Sequence, residues 1–125
     1  MTNANELRMG SLIEKDNVMY KFLSLEQNHA STSEYRWYWV ETLDGKLGKY
    51  YSSHFNPIPL TPEILEKCGF VSNPYQDRYE FGDIHVEYCG FRDICWVNGK
   101  PHIEYLHQLQ NLYFALTNEE LNYTP

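Results

Sequence analysis

Several residue patterns are missing from this chain, and each absence closes off a class of function. There is no glycine-rich phosphate cradle, no tight Cys-x-x-Cys or helical His pair for structural zinc, and no set of nucleophile, base and oxyanion donors. No apolar run approaches a membrane span. The opening Met1-Thr-Asn-Ala-Asn-Glu-Leu-Arg8 lacks the basic-then-apolar order of a secretory signal. Basic residues are few: ten Lys and Arg, scattered, against seventeen acids give a net charge of −7, which disfavours binding to phosphate backbones. Three cysteines (Cys68, Cys89, Cys95) cannot all pair, which fits a reducing cytoplasm. The expected fold needs neither disulfide, metal nor cofactor.

What is present is aromatic and amphipathic. Eleven tyrosines, six phenylalanines and three tryptophans in 125 residues supply large buried areas, and a 42% hydrophobic content makes the chain globular rather than disordered. The length predicts a single domain over 1–125, divisible into a barrel-like β lobe at 5–59 and an α+β lobe at 60–125. Leu7–Ile13 and Val18–Leu25 read as strands around an Asp16-Asn17 turn, with a polar loop at Gln27–Ser33. Tyr35–Leu43 and Lys46–Ser53 flank Asp44-Gly45, a two-residue hairpin signal. That turn sets Trp39 opposite Tyr50 and Tyr38 opposite Tyr51. Trp37, Trp39 and Tyr50 then share one face, and Tyr38, Val40, Leu47 and Tyr51 share the other. Both faces are apolar, so one covers a core and the other must meet a second element, a partner or a ligand.

Leu60-Thr-Pro-Glu-Ile-Leu-Glu-Lys-Cys-Gly-Phe70 predicts a two-turn helix with both ends encoded. Thr61 caps it, Pro62 takes the first position, Leu60 staples onto Leu65, and Gly69 ends it with Phe70 folding back. Leu116-Thr-Asn-Glu-Glu-Leu121 echoes Leu60-Thr-Pro-Glu-Ile-Leu65, the same capping chemistry used twice and not an internal repeat. Residues 71–77 read as a connector, followed by strands at Tyr79–Gly82, Ile84–Cys89, Asp93–Val97 and, after the Asn98-Gly99 turn, Lys100–Glu104. Pro101 requires that last strand to lie at an edge or to have its outer side free. Leu106, Leu109, Leu112, Tyr113 and Leu116 recur at helical spacing, with Gln108, Gln110 and Asn111 falling away from the stripe. This helix should pack on the 93–105 hairpin face that bears Trp96 and Ile103.

The constellations that could carry chemistry are sparse. The hairpin register sets Cys95 across from His102, a thiol beside an imidazole, but nothing glycine-rich approaches it and the bland reading is a small Cys beside a surface His. Cys89, Cys95, His102 and His107 are too widely spaced for a structural zinc site, and the alternation of His85 with Glu87 and of His102 with Glu104 is that of a solvated sheet face. Glu63/Glu66 and Glu119/Glu120 serve helix ends, and Asp77, Glu80 and Asp83 surround a turn. Tyr35, Trp37, Trp39 and Tyr50 could form a stacking or peptide-docking surface, although rings this large are usually core.

Three phrases together carry a resemblance: Asn5-Glu-Leu-Arg-Met-Gly-Ser-Leu-Ile13, Ile58-Pro-Leu-Thr-Pro-Glu-Ile-Leu-Glu-Lys-Cys-Gly-Phe70, and Glu104-Tyr-Leu-His-Gln-Leu-Gln-Asn-Leu-Tyr-Phe-Ala-Leu-Thr-Asn-Glu-Glu-Leu121. In these the chain resembles a group of small uncharacterised proteins of Bacteroidetes-type bacteria and their prophages and mobile elements. The resemblance implies a cytoplasmic bacterial protein with the Leu106–Leu116 segment as its hallmark, and it implies no activity or site residues. The expected fold is α+β: an antiparallel barrel-like, SH3-like sheet, a short capped helix, and a second antiparallel sheet with the C-terminal helix packed on it. The expected function is a non-enzymatic interaction or accessory module binding an unknown protein or a second copy of itself through Tyr38, Val40, Leu47 and Tyr51. The −7 charge keeps open an acidic inhibitor that mimics nucleic acid, and an enzyme with a dispersed site ranks third.

Overall fold

The protein is α+β, and its computed structural model describes residues 7–27, 36–76, 78–89, 94–97 and 100–125. The loop expected at Gln27–Ser33 lies, from residue 28 on, outside those residues, as does the expected Asn98-Gly99 turn. The chain forms two compact units, Met1–Ile58 and Pro59–Pro125.

The first unit is one antiparallel sheet. Strands β1 (Leu12–Lys15) and β2 (Val18–Gln27) are joined by Asp16-Asn17. Both turn residues take positive φ, 51° and 66°, which Asp and Asn tolerate and which suits the twist of a two-residue hairpin. The strand expected from Leu7 starts only at Leu12. Before it, Gly10 adopts φ 97° and the Ser11 amide closes a turn onto the Arg8 carbonyl at 2.9 Å. β3 (Arg36–Thr42) and β4 (Leu47–Tyr51) follow, then a single 3-10 turn at Ser52–His54 and the two-residue β5 (Asn56–Pro57), which sequence pattern had left unassigned. The strand order is β4-β3-β2-β1-β5. The expected barrel-like closure is therefore corrected to an open sheet with β4 and β5 as its edges. β5 is too short to continue around a barrel, and Pro57 lacks the amide to extend the ladder.

Packing in this unit is mostly between rings. Ile13, Phe22, Tyr38, Val40 and Phe55 form a buried cluster, with Leu7, Tyr20 and Tyr50 packed against it. Phe22 meets Tyr38 edge-on at 5.1 Å, and Phe55 touches Tyr20 and Tyr38, each at 5.7 Å. A bulge between Phe22 and Ser24 inserts Leu23 into β2, so that Phe22 faces Val40 while Ser24 faces Trp39.

The second unit begins with α1 (Pro62–Lys67), whose ends form as encoded. Thr61 Oγ1 accepts the Ile64 amide at 3.2 Å. Gly69 takes φ 93°, and the Phe70 and Gly69 amides donate to the Leu65 and Glu66 carbonyls, which is a Schellman closure. Leu60, Leu65 and Phe70 are all buried. The expected connector contains an unassigned strand, β6 (Val71–Asn73), then β7 (Arg78–Phe81), β8 (Ile84–Cys89), β9 (Ile94–Val97) and β10 (Lys100–Ile103). They pair in the order β10-β9-β8-β7-β6, so Pro101 sits in an edge strand. β6 is paired to β7 over only three residues, with Asn73 and Arg78 both donating to the Glu80 carboxylate at 3.2 and 2.8 Å.

α2 (Leu106–Thr117) closes the unit. Gln108 reaches back so that its Oε1 accepts the Glu104 and Tyr105 amides, at 2.9 and 3.2 Å. Tyr113 meets Phe81 of β7 at 5.8 Å, so the helix lies against the β7 strand, and contact with Trp96 falls outside the described side chains. The buried stripe differs from the expected one. Leu106, His107, Leu109, Gln110 and Tyr113 are buried, Leu112 is half-buried, and Leu116 is 54% exposed. The face follows positions 106, 109, 110 and 113, which turns Gln110 inward and Leu116 out. No second capped helix follows Leu116. Instead Asn118 takes φ 60°, and Thr117 Oγ1 donates to the Tyr113 carbonyl and accepts the Glu119 amide, ending α2.

Candidate interaction surface

The hairpin of β3 and β4 decides which aromatic rings meet solvent. Its loop holds three residues rather than two. The Thr42 amide donates to the Lys46 carbonyl at 2.8 Å, the Gly45 amide to the Thr42 carbonyl at 3.0 Å, and Gly45 adopts φ 96°. Thr42 Oγ1 accepts the Lys46 amide and also bonds Asp44. Relative to a two-residue turn, this slips the register by one position: Trp37 pairs with Tyr51, Tyr38 with Tyr50, and Trp39 with Lys49. A one-residue slip on one strand exchanges its faces.

The expected grouping of Tyr38, Val40, Leu47 and Tyr51 is thereby split. Tyr38 and Val40 point into the core, at 1% and 0% exposure, with Tyr50 beside them. Leu47 and Tyr51 lie on the opposite face with Trp37 and Trp39. Leu47 is 70% exposed, and Trp39 and Tyr51 are 38% and 39% exposed. The alternative grouping of Trp37, Trp39 and Tyr50 divides as well, because Tyr50 faces the core. Gly48 in β4 makes this possible. A Cβ there would lie 2.7 Å from the Tyr50 ring, which folds back over the glycine and packs on Tyr20 and Phe55.

On the outer face the rings are held in place. Trp37 stacks on Tyr51 at 3.9 Å and 27°, and Tyr51 meets His54 edge-on at 5.8 Å. The Trp39 indole N–H donates to Glu26 Oε2 at 2.8 Å, and the Lys49 ammonium reaches the same oxygen at 3.0 Å. Lys49 also lies over the Trp37 and Trp39 rings, at 5.1 and 5.3 Å from their centroids. The Lys49 ammonium, and secondarily the Trp39 N–H, hold the Glu26 carboxyl below the usual carboxylate range. Sequence reading missed Glu26 and Lys49. Sequence parity could not have found them, because the two-residue turn sets Lys49 opposite Val40; only the observed register places Glu26 opposite Trp37 and Lys49 opposite Trp39, on the tryptophan face.

Elsewhere the chemistry is quieter. β9 and β10 carry a register shift between Lys100 and Ile103, so Cys95 pairs with Ile103 and not with His102. The bulge moves the expected thiol–imidazole pair out of register, and those two side chains lie outside the described residues. Cys68 is buried, which pushes its thiol up to about 12 and keeps it from acting as a thiolate. Two depressions mark the second unit, about 620 Å³ near Glu63, Glu66 and Lys67 and about 300 Å³ between Phe81, Ile84, Tyr113 and Leu116. Among the described residues, no three His, Cys, Asp or Glu side chains gather as metal ligands, and no helix is long and apolar enough to cross a membrane.

Fold and surface together define an α+β chain of two antiparallel sheets, one of which turns an aromatic face outward. No family model, curated protein or solved structure matches it.

Proposed function

We propose that this chain is a non-enzymatic protein-interaction module that binds through the outer face of the β3–β4 hairpin. One observation carries the reading: exposed Trp39, Leu47 and Tyr51 and half-buried Trp37 form one strip whose rings are fixed by stacking and by the Glu26–Lys49 pair. Trp and Tyr dominate binding hot spots, and rings already held in one geometry lose little freedom on docking. We propose further that it serves a cytoplasmic accessory role in a bacterial or mobile-element system, as the resemblance of its three sequence phrases implies.

The reading is tested by placing a photocrosslinker at position 47, identifying the captured protein, and titrating the purified partner against wild type and a Trp37→Ala/Tyr51→Ala variant. Loss of a central aromatic pair is expected to weaken binding by about 30-fold or more. Equal affinity of wild type and variant refutes the strip as the binding surface.

A further inference from the structure

Among the described residues the two sheets have four edges, and they are unequal. β5 has two residues and ends in Pro57, β6 has three residues, and β10 carries Pro101 and a register shift. Prolines, bulges and shortness are the usual means of keeping an edge from pairing with another chain. β4 has none of them. It runs five residues without proline, in unbroken register with β3 from Trp37↔Tyr51 to Glu41↔Leu47. Its one lysine, Lys49, is turned onto Glu26 and the two indoles.

The hydrogen-bond phase of the hairpin gives this edge a direction. The Thr42–Lys46 pair is hydrogen-bonded, so by alternation Val40–Gly48 and Tyr38–Tyr50 are too. The backbone N–H and C=O of Leu47 and Lys49 consequently point away from β3, along the sheet's edge. The same residues put their side chains on the aromatic face. Backbone pairing and apolar contact are thus offered together.

We infer that β4 is a dimerisation edge, pairing antiparallel with β4 of a second copy across a two-fold axis to join two five-stranded sheets into one of ten. This rests on the interaction reading above and names its partner. β4 is its own complement: an extended segment with Leu47 and Tyr51 on one face and Lys49 between them. Centring the axis on Lys49 sets Leu47 of each copy against Tyr51 of the other, an aliphatic–aromatic cross-strand pair. The two lysines that then face each other are each neutralised by Glu26 of the same copy. Charge does not oppose this place of contact: Lys49 is paired with Glu26, and Lys21 lies opposite Glu41, so the part of the outer face formed by β2, β3 and β4 is balanced on a chain of net −7, with Glu14 farther off on β1.

Light scattering of the purified protein across a hundredfold dilution tests the inference. Wild type is expected to show twice the 14.9 kDa chain mass at high concentration and to dissociate on dilution. Leu47→Pro removes one outward amide at the first residue of an edge strand, where proline leaves the β3–β4 ladder intact. It is expected to raise the dimer dissociation constant by about 30-fold or more, through two lost bonds per dimer and a blocked edge, with an unchanged circular dichroism spectrum. Leu47→Lys, which sets a second cation diagonally beside Lys49 of the other copy without altering the backbone, is expected to act in the same direction, covering the case in which the proline variant fails to fold. A wild-type monomer at every concentration, or a dimer that survives in folded Leu47→Pro and Leu47→Lys alike, overturns the inference. A wild-type monomer whose crosslinked partner is lost on Trp37→Ala/Tyr51→Ala overturns edge dimerisation alone and leaves the interaction strip standing.

Discussion

The Met1–Ile58 unit is held together by rings drawn from separate strands, whereas the Pro59–Pro125 unit is organised by two helices with well-formed ends. In the first, Ile13, Phe22, Tyr38, Val40 and Phe55 come from four segments and touch only because the sheet has a particular register. In the second, Thr61, Pro62, Gly69 and Phe70 fix α1 within ten residues, and Gln108 and Thr117 close the two ends of α2 from within it. Where contacts are local, residue type nearly dictates geometry. Where they are distant, one extra loop residue changes which rings are inside.

The comparison breaks most sharply under deletion of a buried side chain from each unit. Tyr38→Ala in the first is expected to cost about 3–5 kcal/mol and Leu109→Ala in the second about 2–5 kcal/mol, read as shifts in urea midpoint. Leu116→Ala, on the same helix but outside the stripe, is expected to stay within about 0.5 kcal/mol. Equal midpoints for Leu109→Ala and Leu116→Ala would show the stripe to be misassigned.

Next in size is Gly48→Ala. The new methyl meets a Tyr50 ring already packed on Tyr20 and Phe55, and overpacking of this kind is expected to destabilise by about 1–3 kcal/mol. The double variant Gly48→Ala/Tyr50→Ala relieves the clash, so the two substitutions are expected to be non-additive. Additive losses would place the strain elsewhere.

Thr61→Ala probes the locally written unit. It removes the acceptor for the Ile64 amide and is expected to cost about 1 kcal/mol, with Thr61→Ser close to wild type in thermal melts.

The smallest effect is on acidification. The folded Glu26 carboxyl is held below the usual range near ~4.3, so its contribution is present above that range and is lost as pH falls through the lowered folded value. Tryptophan emission followed from pH 7 to pH 3 is expected to change below the pH at which free glutamate titrates. Glu26→Gln should abolish that step, and a step unchanged in the variant would assign it to another group.

The errors of sequence reading fall along the same division. The caps of α1, the Asp16-Asn17 turn and the strands at 18–25 and 84–89 could be read because each rests on neighbours a few residues apart; the Leu116–Leu121 phrase was equally local and misled, because Asn118 ends α2 there instead of starting a helix. β5 and β6 could not, since two or three residues carry no periodicity and become strands only beside β1 and β7. Asp44-Gly45 signalled a hairpin correctly and its register wrongly. Thr42 extends the loop with its side chain, and no pattern in the flanking strands opposed a shift, because both faces are apolar.

By itself, then, the amino-acid order determined the α+β class, both ends of α1 and the presence of an aromatic hairpin, all consequences of backbone preference and short-range hydrogen bonding. Only the tertiary structure decided that Tyr38 and Val40 are core while Trp37, Trp39, Leu47 and Tyr51 face outward, and that Gln110 is buried while Leu116 is not. Those outcomes depend on register and on helix rotation. Both are set by how distant surfaces fit and by which polar groups find partners there, quantities that no local stretch of sequence contains.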